Sequence, residues 1–188
     1  MPRLTNRPLT EATWAPFAAL VERHNGDWGG CWCNGFHTQP TGGYKSAADP
    51  REAKHARVLG GTTHAALVFD SDTCVGWCQY GPTATLPRIK NRKAYEAVPT
   101  TAPDWRITCF FVDKSHRGQG VAAAALAGAT QEIAKLGGGT MKGYPEDTTD
   151  RKASGAFLYN GTLAMFDAQG FTRDRMIGKD RWVVSKPL

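Results

Sequence analysis

The six residues Arg117-Gly118-Gln119-Gly120-Val121-Ala122 combine types and spacing suited to holding a phosphate. They follow an apolar, aromatic run at 106–112 and the polar linker Asp113-Lys114-Ser115-His116, and they open an alanine-rich stretch. Small residues let backbone amides approach a ligand closely. The first turn of a helix also presents unpaired N–H groups at the positive end of its dipole. A strand running into such a turn therefore predicts a seat for a pyrophosphate, with Arg117 adding a direct charge.

Positioning that turn requires a strand, helix, strand unit, and the patterning supplies one. Residues 106–112 read as a strand. Residues 120–136 read as an alanine-rich helix ended by Gly137-Gly138-Gly139, and 140–144 as a short parallel strand. Ahead of the unit, 10–24 predicts a helix with Trp14, Phe17, Leu20 and Val21 at helical spacing and Thr10 as its cap. Residues 25–44 read as a loop with at most a short strand. A mostly solvated helix at 50–59 is stopped by Gly60-Gly61. Strands at 65–69 and 74–80 flank Asp70-Ser71-Asp72, which is hairpin chemistry. The stretch 86–97 is basic and irregular, and 145–155 is a polar loop. Beyond it come a helix at 162–169 stopped by Gly170 and strands at 171–177 and 181–185 around Gly178-Lys179-Asp180.

At 188 residues the chain has room for one domain, 1–188, with a sizeable core. Hydrophobic content of 41%, with six Trp, eight Phe and five Tyr, argues for a packed globular protein rather than a disordered one. No run approaches the roughly 20 apolar residues of a membrane span, and the first 13 residues lack a signal-peptide core. The expectation is a cytoplasmic protein with no membrane partner. Five cysteines, an odd number with three in runs that read as buried, argue against a disulfide framework. A net charge of +6 suits an anionic ligand but does not choose between coenzyme A, nucleic acid and simple solubility.

The turn resembles the coenzyme A motif of the GNAT acetyltransferase family: Arg or Gln, two residues, Gly, one residue, then Gly or Ala. Val112 falls where that family's fourth strand ends, and Gly170-Phe171 matches its recurrent Gly-Phe after the fourth helix. The resemblance extends over about 65–185, whereas 1–61 shares only its two helices. A Rossmann dinucleotide fold is the closest mimic. The late position of the motif, the antiparallel strands before it and the lack of an acidic residue ending the next strand speak against it. The fold implied is α/β of GNAT type: a mixed central sheet of about six to seven strands, helices on both faces, and splayed parallel fourth and fifth strands. The activity implied is transfer of an acetyl or other short acyl group from acetyl-CoA to an amine, with no metal.

By the resemblance, Phe110, Phe111 and Val112 lie along the pantetheine arm, and Arg117 to Ala122, including Gly118, Gln119, Gly120 and Val121, hold the pyrophosphate. The family's usual acid is a Tyr four residues before the Gly of Gly-Phe, and here Phe166 stands there. Tyr159 is the nearest phenol and so the candidate acid, and a Phe166→Tyr substitution is expected to be neutral or helpful. Asn160 lies close to the family's pantetheine-bonding Asn, and it is also suited to cap a helix beginning at Gly161. No carboxylate occupies 106–112 or 140–144, so the candidate base is Glu146, with Asp147 beside it, acting through a water relay. The acceptor implied is a small-molecule or peptide amine, and a homodimer is compatible with the family. The alternative reading is a catalytically silent acyl-CoA-binding or RNA-binding module of GNAT fold.

Two further groups carry chemistry. Cys31-Trp32-Cys33 with His24 and His37 offers four zinc ligands, but one intervening residue is poor spacing for a tetrahedral site. A packed aromatic cluster of Trp28, Trp32 and Phe36 is the preferred reading. Arg88, Lys90, Arg92 and Lys93 are four cations within six residues. They suit a solvated loop, a clamp on an anionic acceptor, or a contact with nucleic-acid phosphates.

Overall fold

β-Branched and aromatic runs that cannot be left in water assemble a mixed, seven-stranded sheet in the computed structural model, which describes residues 4–25, 30–46, 48–150 and 154–188. The strands are β1 (Leu4–Pro8), β2 (His64–Asp70), β3 (Thr73–Pro82), β4 (Trp105–Val112), β5 (Thr140–Gly143), β6 (Thr172–Met176) and β7 (Trp182–Pro187). Their order is β1-β2-β3-β4-β5-β7-β6. Only β4 and β5 run parallel, and they pair solely at Trp105–Met141 and Arg106–Lys142 before diverging. The splay follows from this short register.

The helices are α1 (Glu11–Arg23), α2 (Asp49–Leu59), α3 (Arg92–Glu96), α4 (Val121–Lys135) and α5 (Leu163–Asp167). Alternation along the strands gives the sheet two apolar faces. On one face, Leu126, Ala129 and Ile133 of α4 and Phe166 of α5 pack on Val68, Cys78 and Phe110. On the other, Phe17 and Leu20 of α1 pack on Leu67, Trp77 and Phe111. The amino end of α4 sits directly on β3: a Cβ at Gly76 would lie 2.6 Å from Val121 Cγ1. No described helix is long and apolar enough to cross a membrane.

The structure differs from the sequence reading in three places, while the described part of 25–44 is loop as read. β1 is an edge strand of exposed polar residues and carries no alternating signal, yet it pairs with β2 along its length. The basic stretch contains the short α3, and the helix expected at 162–169 shortens to α5. At α1, Thr10 is the cap as expected, and the Thr13 hydroxyl accepts from Thr10 N–H at 2.8 Å and donates to Pro8 C=O at 2.7 Å.

Candidate functional site

The turn after β4 is built from its charges upward. The Asp113 carboxylate accepts from Ser115 N–H at 3.0 Å, Ser115 O–H at 2.8 Å and Arg23 at 3.1 Å, which pins a short 3-10 turn at Lys114–His116. Partial burial works against the ionised form, but these bonds outweigh it and hold the carboxyl well below the usual range. Gly118 and Gly120 then adopt left-handed conformations, with φ of 73° and 81°, that side chains resist. A Cβ at either would meet nothing within 4 Å, so the space before the turn is open. The first helical bond back is Ala124 N–H to Gly120 C=O at 2.9 Å, which leaves the preceding amides to an external acceptor. Arg117 is exposed beside Gly155, and Gln119 donates to Ser115 C=O at 3.0 Å. The set fits a pyrophosphate.

From that turn a cleft of about 340 Å³ runs along β4. Phe110, Phe111 and Val112 form one wall and Leu158, Gly161, Thr162 and Met165 the other. Arg117 and Ala122 close its end. The strand residues expected along the pantetheine arm and two of those expected at the pyrophosphate, Arg117 and Ala122, are therefore brought to one groove.

The gap between β4 and β5 is spanned by 159–161 and Arg181. Tyr159 C=O accepts from Phe110 N–H at 2.7 Å, and Asn160 Nδ2 donates to Thr108 C=O. Asn160 does not cap α5, whose cap is Thr162; buried at 2% exposure, it braces β4 instead. Arg181, also 2% exposed, donates to Tyr144 C=O at 2.7 Å and Asn160 Oδ1 at 2.5 Å and pairs with Glu146. Glu146 is thus buried in an ion pair and lines neither β4 cleft. It borders a separate depression with Lys179 and Asp180, so the geometry does not favour it as the base. Asp147 Oδ1 bonds Thr149 N–H at 3.0 Å and its hydroxyl at 2.7 Å. The sequence reading missed Arg181, although a lone Arg heading an apolar strand is a signal that something buried must neutralise it.

A second cavity, of about 360 Å³, is lined by chain neighbours of the first: Cys109 precedes Phe110 on β4, and Tyr159 follows Leu158. Cys33 and Cys109 line its floor, Phe36, Ile89 and Tyr159 its walls, and Arg88 and Lys90 its mouth. Phe36 packs 6.2 Å from the Tyr159 ring centroid, and Lys90 Nζ lies 5.5 Å from it. Arg92 instead pairs with Glu96 at 2.6 Å, so the basic run divides.

The thiols and imidazoles offered as zinc ligands face different partners. Cys33 Sγ accepts from Trp77 Nε1 at 3.1 Å, and Cys31 Sγ from Gly35 N–H at 3.2 Å. His24 lies 3.5 Å from Asp113, and His37 bonds Thr85 C=O at 2.8 Å and Gln79 at 2.9 Å. Among the described residues no three His, Cys, Asp or Glu side chains are grouped so as to hold a metal ion. Trp28 lies outside the described residues, and Trp32 and Phe36 belong to one packed cluster, Trp32 stacked 5.9 Å from Trp14 and Phe36 against Tyr159. Trp32 and Cys33 both adopt left-handed φ, 51° and 57°, a conformation costly for such side chains. Burial disfavours ionising Cys33, but the Cys109 hydrogen bond, the Lys54 charge and Trp77 together hold its thiol below the ordinary value. Phe166, at the position of the expected acid, has no exposure and packs edge-on against Phe110 at 6.0 Å and Phe171 at 4.9 Å.

Residues 30–154 match the model of the acetyltransferase (GNAT) family. The match begins before residue 65 and ends before Gly170, displaced toward the amino terminus relative to the expected 65–185. Among solved structures, the ribosomal-protein-alanine N-acetyltransferase of Brucella melitensis has a TM-score of 0.55 at 16% identity, over 98% of this chain and 99% of that one. An acetyltransferase from Thermus thermophilus has a TM-score of 0.52 at 16% identity, over 98% and 97%. The yncA protein of Salmonella typhimurium, solved with its cofactor acetyl-CoA, has a TM-score of 0.54 at 14% identity, over 98% and 93%. At these identities the likeness is one of fold. None of the curated proteins compared with the chain matches it.

Proposed function

The chain belongs to the GNAT acetyltransferase family, and from that premise we propose that it transfers an acetyl or other short acyl group from acetyl-CoA to the amine of a small molecule or peptide. The observation that carries this reading is the pair of cavities lined by consecutive residues of β4, Cys109 for one and Phe110 to Val112 for the other, the second reaching Arg117 and Ala122 at either end of the open Gly118–Gly120 turn. Bound acetyl-CoA would supply an activated thioester carbonyl. Backbone amides from Gly118 to Ala122 and the Arg117 guanidinium would hold its pyrophosphate, and Phe110 to Val112 would flank its arm. Asn160 keeps β4 braced while that groove is filled.

In this proposal the proton chemistry belongs to the second cavity. Tyr159, which lines that cavity and follows Leu158 of the cofactor cleft, donates a proton to the departing thiolate. Cys33 accepts the proton of the attacking amine, because its Trp77 and Cys109 contacts and the Lys54 charge favour the thiolate. Glu146 supports the site through Arg181 rather than by touching reactants. The test is release of free thiol from acetyl-CoA across a panel of amines. Turnover with at least one amine, lowered about 10²-fold in Tyr159→Phe and in Cys33→Ala, is the expected result. Intact acetyl-CoA binding with no thiol release from any amine would overturn the transfer reading in favour of a binding module.

A further inference from the structure

Resting on the transfer reading above, we propose that the acceptor is a small amine that also carries an anionic group, a carboxylate or a phosphate, held by Arg88 and Lys90 at the mouth of the second cavity. That cavity is lined by two cations and no carboxylate. The guanidinium of Arg88 has no hydrogen bond or ion pair among the described residues, while its backbone N–H is tied to Phe36 C=O at 3.3 Å, so the side chain stands at a fixed point on the rim. Lys90 also borders the depression that holds Glu146 and Asp180, which makes Arg88 the stronger anchor.

The ground behind the cavity has the same sign. Lys54 is fully buried and donates to Thr63 at 2.9 Å. Burial first, and then the charges of Lys54 and Arg57, hold His37 neutral with its pKa near 3. Arg106, 7% exposed, donates to Leu86 C=O at 2.8 Å. Cations beside low-dielectric walls focus a positive potential into the space between them. A polyamine or lysine-rich peptide would bring several cations past Arg88 and Lys90, whereas a guanidinium matches a carboxylate or phosphate in a two-point bond.

Size narrows the class. A volume of about 360 Å³ is near the small end of ligand cavities, which run from roughly 300 to 1,000 Å³, and it suits an amino acid or a phosphorylated amine. Nucleic acid is the poorer match, because Arg92 is occupied by Glu96 and neither Arg92 nor Lys93 lines the cavity. With the anion at the rim, the amine points inward to the floor at Cys33 and Cys109, beside the strand that borders the cofactor groove.

The experiment measures kcat/KM by thiol release for glutamate and phosphoethanolamine as acceptors with an anionic group, tyramine as a monoamine without one and spermidine as a polycation. The two anionic arms distinguish carboxylate from phosphate. Arg88→Glu is expected to lower kcat/KM for the favoured anionic amine about 10- to 100-fold, the size of a charge-assisted hydrogen bond. Acetyl-CoA affinity should stay unchanged, since Arg88 is outside the cofactor groove, and tyramine turnover should not fall with that of the anionic amine. Spermidine as the best substrate of the unmutated protein, or an anionic amine indifferent to Arg88→Glu and Lys90→Glu, overturns the proposal. If no amine is acetylated, a saturable rise in Tm with phosphoethanolamine or glutamate, lost in Arg88→Glu, upholds the anion site while the transfer reading fails. Absence of both turnover and that rise overturns the two together.

Discussion

Arg181→Met probes the pin that spans the splayed strands. Arg181 is buried at 2% exposure, and its partners among the described residues include Tyr144 C=O, Asn160 Oδ1 and the carboxylate of Glu146, itself only 8% exposed. A thioether of similar length fills the space but leaves Glu146 as a buried charge without its guanidinium and strips two acceptors of their donors. Removing one partner of a buried ion pair costs about 3–5 kcal/mol, and the two orphaned acceptors fall within that figure because such losses are not additive. Replacing both ends together removes the uncompensated charge, so Arg181→Met with Glu146→Met should return to within about 1–2 kcal/mol of the parent. Urea unfolding followed by both tryptophan fluorescence and far-UV circular dichroism reads the differences, with an unchanged m-value certifying a like-for-like comparison. A single variant that loses less than about 1 kcal/mol, or a double variant at the sum of the two singles, refutes the idea that Glu146 serves mainly as the partner of Arg181.

His37 donates from Nδ1 to Thr85 C=O and accepts at Nε2 from Gln79 and Thr63, so it is neutral when folded, with a pKa of about 3 against an ordinary 6.5. The unfolded chain binds the proton first; the stability His37 supplies is full above pH 6.5 and drains as pH falls toward 3, and His37→Gln should flatten that part of the unfolding free energy against pH. Tyr159→Phe and Cys33→Ala should each lower kcat about 10²-fold with little change in KM for acetyl-CoA, and an undiminished rate in steady-state assays would remove that residue from proton transfer. Phe166→Tyr, which the sequence alone makes neutral or helpful, should instead destabilise by about 1–3 kcal/mol in thermal or urea melts without raising kcat, because its hydroxyl would enter the core against Gly143 and Phe110.

The parts of the site legible in the sequence are those built from neighbours in the chain. The strand ending at Val112, the glycines after it and the alanine-rich helix are contiguous, and their chemistry is local: backbone freedom at Gly118 and Gly120, then helical amides. β1 escaped because Leu4-Thr5-Asn6-Arg7-Pro8 has no alternation, and only pairing with β2 makes it a strand. Glu146 looked available for chemistry beside β5 because its partner Arg181 lies 35 residues further on. Asn160 looked like a helix cap until the diverging strands gave it Thr108 C=O to hold. Phe166 stood out as a missing Tyr, but its burial against Phe110 and Phe171 is set by tertiary packing that no local pattern records. The basic run of four cations reads as one cluster in the chain, and folding assigns two to the cavity and one to an ion pair.

Calorimetric titration of the purified protein with acetyl-CoA, run beside a Gly120→Glu variant, tests the central claim most directly. The turn between β4 and α4 is predicted to take up one equivalent of acetyl-CoA per chain. The variant, which sets a carboxylate and a strained left-handed backbone before the open amides, should bind none while keeping its circular dichroism spectrum. No heat of binding from the parent at millimolar acetyl-CoA, matched by no rise in Tm, or equal binding by the folded variant, would contradict the assignment of this turn as the cofactor seat.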